Sequence, residues 1–222
     1  MKQVSIPHRS KVASFDVHAQ KTFTPECPDE LPVEGGDQIV DELNQQAKKA
    51  QYRIGSKEAH NAKAIWVADD QHPVFSPIAG ENVDVHWPQH SRPGTKGFEL
   101  IDGLPKITDY DYFVWEGIEL DMHPYGACYH DVAEHLSTGV IEFLHHKKIT
   151  ALIVGGLATD YCVKTTVLQL LQAGFQVVVN LAACRGLTPE TTQKALKEMQ
   201  KNGALLAENA HSIINEKMTE GN

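Results

Sequence analysis

The chain has 222 residues, 41% hydrophobic and 22% charged, with 20 Lys and Arg against 29 Asp and Glu for a formal net charge of −9. Such a balance suits a globular protein with a substantial core, and a net anion makes a nucleic-acid phosphate backbone or an anionic membrane a poor partner. No apolar run reaches the length of a membrane span, the first residues lack the apolar stretch of a secretory leader, and Cys27, Cys128, Cys162 and Cys184 form no CxxC pair, so a reducing cytoplasm without a disulfide framework is expected.

Val12-Ala-Ser-Phe-Asp16 reads as a short buried strand ending in an acid, followed by a Pro- and Gly-rich loop. Asp37 to Lys49 has helical periodicity, with Ile39, Val40, Leu43 and Ala47 on one face. Tyr52-Arg-Ile-Gly is a second strand with His60 just beyond it. The stretch from about 69 to 105 carries Pro, Gly and His with little periodicity and reads as a long functional loop. Tyr112-Phe-Val-Trp115 is a third strand. Cys128 to His146 is expected to be helical, with Val132, Leu136, Val140, Ile141 and Leu144 as its apolar stripe. The strand Phe175–Asn180 and a helix opening after Thr188-Pro189 complete the chain, proline being favoured at the first helical position.

Between them lies the most informative stretch, Ile149 to Thr166. An apolar, β-leaning run ends in Gly155-Gly156, and Thr159-Asp160 opens a segment with Val163, Val167, Leu170 and Leu171 at helical spacing. This is a buried strand, a tight turn and a helix start, with Thr159 or Asp160 expected as N-cap. Cys162 falls in the first helical turn, where unpaired N–H groups and the helix dipole favour a thiolate. From the local pattern alone, a nucleophile and a buried structural cysteine are equally good readings. Strands alternating with helices imply one α/β domain over residues 1–222: a doubly wound, mostly parallel central sheet with helices on both faces and the site beyond the carboxyl ends of its strands.

Gly156-Leu-Ala-Thr-Asp-Tyr-Cys162-Val-Lys164 resembles the nucleophile motif of the nicotinamidase/pyrazinamidase group within the isochorismatase-like cysteine hydrolases. The resemblance implies that fold, with Cys162 attacking a carboxamide and a cis peptide at Leu157-Ala158 shaping an oxyanion hole from the backbone N–H groups of Ala158 and Cys162. It implies that Asp16, at the end of the first strand, shuttles the proton. Gly55-Ser-Lys-Glu58-Ala-His60 resembles the family's Asp-x-His metal pair with Glu for Asp. Trp87-Pro-Gln-His90…Gly94-Thr-Lys-Gly97 resembles the run that supplies the third ligand, His90. A divalent metal on Glu58, His60 and His90 is implied, zinc first, with iron and manganese as alternatives. Asp70, His72 and His86 form a rival ligand set in the loop. Phe23, Trp87, Tyr125 and Tyr161 match the aromatic wall of a ring pocket. Phe23 is less secure, because the family's Asp-x-Gln-x-x-Phe spacing is lengthened when counted from Asp16.

One position departs from the family. Val114-Trp-Glu116-Gly117 carries Glu116 where the family has a catalytic Lys, and Tyr125-Gly-Ala-Cys-Tyr129 anchors that register. A carboxylate beside Asp16 and Cys162 would keep the thiol protonated. The reading is hydrolysis of nicotinamide to nicotinate and ammonia through a Cys162 thioester, with a small carboxamide as partner and the oligomeric state open. Two alternatives remain: another carboxamide or isochorismatase-like hydrolase, or a catalytically weakened ligand-binding homologue. If Glu116 merely weakens an amidase, Glu116→Lys should raise its activity.

Overall fold

In the computed structural model, which describes residues 3–217, the chain builds a six-stranded parallel sheet in the order β4-β3-β2-β5-β6-β7. Its strands are β2 (Val12–Val17), β3 (Tyr52–Glu58), β4 (Tyr112–Glu116), β5 (Ala151–Leu157), β6 (Gln176–Arg185) and β7 (Leu205–Ala207). A two-stranded ribbon of β1 (Val4–Ile6) and β8 (Ile213–Asn215) lies apart from it. The chain steps outwards from β2 through β3 to β4, returns to β5 beside β2, and then steps the other way. The order therefore reverses between β2 and β5, the place where a doubly wound sheet opens a crevice at its carboxyl edge.

Alternation along the strands sorts the core into two faces. Phe15, Val17, Val154, Val177 and Val179 pack with α2 (Val140–His146), α3 (Lys164–Gln172) and α4 (Pro189–Lys201) through Leu144, Val167, Leu170 and Met199. On the opposite face Leu43 of α1 (Val40–Ala47) packs with Ile39, Leu157 and Ala183, and the β1–β8 ribbon covers Val12, Ile153 and Val178. Each fully buried Leu, Ile or Val contributes about 1.5–3 kcal/mol, so both faces are firmly held and the strand ends are rigid supports. Among the described residues no helix is long and apolar enough to cross a membrane.

Three elements differ from the sequence-based expectation. The helix expected from Cys128 begins only at Val140, because the Asp131 carboxylate accepts the backbone N–H groups of His135 and Leu136 (3.0 and 2.8 Å) and holds a loop that competes with helix formation. Val132 and Leu136, placed on its apolar stripe, are 47% and 50% exposed. The strand expected at Phe175–Asn180 continues to Arg185. Neither Thr159 nor Asp160 caps the nucleophile helix: Thr159–Val163 forms a single π turn running into α3. Asp160 reaches instead to the Leu187 N–H (3.1 Å) and the Thr191 hydroxyl, tying this turn to the start of α4. The helix α4 opens at Pro189, as the sequence implies, and Thr188 caps it.

Candidate functional site

Glu58 and Glu116 are the last residues of β3 and β4 and are direct partners in the ladder. Two buried carboxylates on neighbouring strands repel unless cations or donors lie beside them. The structure provides histidines on both sides. Glu58 Oε2 lies 3.1 Å from His60 Nε2 and 3.0 Å from His90 Nε2. His18, directly after β2, places Nδ1 3.5 Å from Glu58 Oε1 and Nε2 2.8 Å from Glu116 Oε1. Its backbone is left-handed (φ 44°), uncommon for a residue with a side chain, and its N–H donates to Ser56 Oγ (3.3 Å). Cys162, delivered by the turn after β5, directs its thiol at Glu58 Oε1 (3.1 Å). Gln20 fixes the Glu58 backbone by donating to its carbonyl (3.0 Å) and accepting from its N–H (2.8 Å).

The geometry fits a cation on Glu58. His60 Nδ1 donates to the Gly117 carbonyl (3.0 Å) and His90 Nδ1 to the Pro88 carbonyl (2.7 Å). Those bonds leave a lone pair on each neutral Nε2, and both lone pairs face one carboxylate oxygen. A neutral imidazole nitrogen and a carboxylate repel in that arrangement, whereas a metal ion between them satisfies all three, and histidine ligands held from behind by carbonyls are the usual design. Burial lowers the pKa of His60, so its neutral form is favoured. Gly117 (φ 74°) is required here, since a Cβ at that residue would lie 2.6 Å from His60 Cε1.

His123, which the sequence analysis did not single out, brings a further ring nitrogen. The ligating atoms of His60, His90 and His123 lie within 4.8 Å of one another, and neither His123 nitrogen has a hydrogen-bond partner. Burial, reinforced by His60, pushes its pKa well below the ordinary histidine value. The rival loop set stays apart: exposed His72 pairs with Asp69 (3.0 Å), and His86 bonds Ser76 (3.1 Å).

Around these groups lies a narrow pocket, lined by Phe23, Trp87, Tyr125, Tyr161, Ala158 and Cys162 together with Leu31, Glu58, His90, His123 and Leu187. Trp87 stands perpendicular to Tyr161 (5.1 Å between centroids) and donates from Nε1 to the Tyr125 hydroxyl (3.1 Å). The cavity is narrow, about 20 Å³, and its walls are largely aromatic and apolar. The Leu157–Ala158 peptide is cis, as the resemblance implies. Burial and the Glu58 charge push the Cys162 thiol up to about 12, and His18 opposes that rise. Burial disfavours charge on His18, but Glu116 and Cys162 outweigh it and raise its pKa well above the ordinary value. Burial, with Glu58, raises Glu116 to about 7 against the pull of His18.

Asp16 requires a correction. It is level with Gly55 in the ladder, three residues short of Glu58, or about 10 Å along the strand. Its carboxylate faces α1, where it accepts from Arg53 Nε (2.8 Å) and from the Tyr110 hydroxyl (2.9 Å), with Arg53 Nη2 2.7 Å away in the ion pair. Cys162 is not among its partners, and the residue at the sheet edge is His18. The signal was present in the sequence. Counted back from Gln20 and Phe23, the spacing His18-x-Gln20-x-x-Phe23 needs no lengthening, and Asp16 lies two residues too early.

The comparisons with known proteins agree with this architecture. Residues 17–211 match the isochorismatase domain model. The nicotinamidase of Escherichia coli (strain K12) is 31% identical over 198 residues, covering 79% of this chain and 85% of that protein. Among solved structures, an Acinetobacter baumanii nicotinamidase/pyrazinamidase superposes with a TM-score of 0.81 at 26% identity, covering 89% of this chain and 95% of its own. The pyrazinamidase of Pyrococcus horikoshii in complex with zinc has a TM-score of 0.71 at 25% identity, covering 89% and 98%. The strand order, the cysteine at the switch point and the extent of these matches agree, and the chain belongs to the isochorismatase family.

Proposed function

We propose that this protein is an amidohydrolase that converts nicotinamide to nicotinate and ammonia. The observation that carries the reading is the placement of Cys162 beside a His/Glu ligand set in a narrow pocket walled by aromatic rings. Likeness to nicotinamidases over most of the chain supports it. Glu58, His60 and His90 would hold a divalent cation, with His123 within reach of the two histidines; the zinc complex of the Pyrococcus horikoshii relative supports zinc. Such a cation, when bound, supplies Lewis acidity and an anchor for a ring nitrogen. Trp87, Tyr125, Tyr161 and Phe23 exclude water and fix the ring plane, and the carboxamide then lies over the sulfur. Cys162 Sγ attacks the carbonyl carbon, the N–H groups of Ala158 and Cys162 hold the oxyanion, ammonia leaves, and water cleaves the thioester. The reading of a silent binding protein loses its support, because Glu116 is paired with His18 in the site.

Ammonia release from nicotinamide by the purified, metal-loaded protein tests this reading, with Cys162→Ala as the control for contaminating activity. Release that depends on Cys162 is expected; its absence at any substrate concentration overturns the assignment. The ligand set has its own test. His123→Phe keeps the ring contacts with Trp66 and Trp87 but removes the nitrogens. A loss of about ten-fold or more in zinc affinity is expected by competition with a chelator, and an unchanged affinity would remove His123 from the ligand set.

A further inference from the structure

We infer that Cys162, His18 and Glu116 form a proton relay in which His18 holds the proton of the thiol and Glu116 positions His18. The inference rests on the cysteine-hydrolase reading above and names the group that reading lacks once Asp16 is displaced. A ring nitrogen of His18, a Glu58 oxygen and the Cys162 sulfur lie within 4.8 Å of one another. The other side of the His18 ring meets Glu116, with Nε2 2.8 Å from Oε1. A carboxylate at that distance from Nε2 favours a proton on that nitrogen in the neutral ring, and Nδ1, which has no hydrogen-bond partner, is left to accept one. All three side chains are buried, so water does not compete for the proton. The residue that orders them is held in a left-handed conformation that sets its ring at the strand edge (φ 44°).

The proton balance closes. The thiol proton passes to His18 Nδ1 as the S–C bond forms and the carbonyl oxygen takes the negative charge. As the C–N bond breaks, His18 returns that proton to the departing nitrogen, giving ammonia and the thioester. An incoming water then gives a proton to His18 while its oxygen bonds the acyl carbon. As the C–S bond breaks, His18 returns that proton to the departing sulfur, so that the thiol and the neutral ring stand as they did before attack. Glu116 touches none of the reacting atoms; it orients His18 and stabilises its charged form. Glu58 Oε1 also accepts from the thiol at 3.1 Å while its second oxygen faces His60 and His90, so Glu58 is the rival acceptor that the variants below must distinguish from His18.

Two readouts on the metal-loaded protein test the relay. The first is the rate at which iodoacetamide alkylates Cys162 at fixed neutral pH, followed by peptide mapping because Cys27, Cys128 and Cys184 are also free. The second is kcat for ammonia release. His18→Gln is expected to slow both at least ten-fold with zinc content unchanged. Glu116→Gln should slow both as well, and Glu116→Asp, which keeps the charge, should recover part of the loss; a purely structural role would give no such recovery in alkylation. If His18→Gln does not fold, the isosteric Glu116→Gln decides. Wild-type rates in the folded variants overturn the relay and leave Glu58 as the acceptor. Slowed alkylation in the variants of a wild type that releases no ammonia from nicotinamide upholds the relay and rejects the substrate.

Discussion

Glu116→Lys is expected to lower nicotinamide turnover about 100-fold or more, and His18→Asp added to the same chain is expected to recover at least ten-fold of that loss. Read by sequence alone, Glu116 is a defect that lysine would repair. In the structure Glu116 is the partner of His18, at 2.8 Å and without solvent between them. An ammonium there would repel a protonated imidazole in a low-dielectric setting and drive its proton off. Loss of a positioned acid–base group costs about 10²–10⁴ in rate. The family's motif has an acid where His18 stands and a lysine where Glu116 stands. This chain has exchanged the signs of both partners together, so the pair remains oppositely charged. The double variant restores the family's arrangement, and steady-state ammonia release at saturating nicotinamide compares the three proteins. A gain of activity in Glu116→Lys alone would show that the two residues do not act as a pair.

Asp16→Asn is expected to do the opposite of a catalytic substitution. It should lower thermal stability strongly and leave kcat per folded molecule near wild type. Asp16 is buried, accepts from Arg53 Nε and is ion-paired with the same guanidinium, which also reaches Asn44 of α1 (2.9 Å) and thereby ties β2 and β3 to that helix. Burial raises the Asp16 pKa, and Arg53 and Tyr110 oppose the rise. Removing one member of a buried pair strands the other charge and costs about 3–5 kcal/mol. For a chain of this size that amounts to roughly 10 °C in Tm. Calorimetry and ammonia release well below the transition separate the two effects. A kcat loss comparable to that of His18→Gln would return Asp16 to the chemistry.

The sequence by itself determined whatever depends on local chemistry at fixed spacing. Apolar runs alternating with helical periods set the parallel sheet, the glycine pair at 155–156 set the end of β5, and the run through Cys162 set the nucleophile turn. That Glu58, His60 and His90 come together was legible because each follows a recognisable run, and so was the clustering of Phe23, Trp87, Tyr125 and Tyr161. Only the tertiary structure decided which of Asp16 and His18 stands at the sheet edge near Cys162. Asp16 and His18 are two residues apart at the end of one strand, and both are plausible in a motif. The register of β2 against β3 sets one of them against Arg53 beneath α1 and lifts the other to the sheet edge between Glu58 and Glu116. His123 was hidden for a similar reason, since no local pattern marks a histidine whose partners come from β3 and from the loop that carries His90. The short α2 was hidden because Asp131 bonds the backbone ahead of it, a competition that helical periodicity does not register. Strand register is a collective result of packing on two faces, and here it converted Glu116 from an apparent loss into the partner of His18.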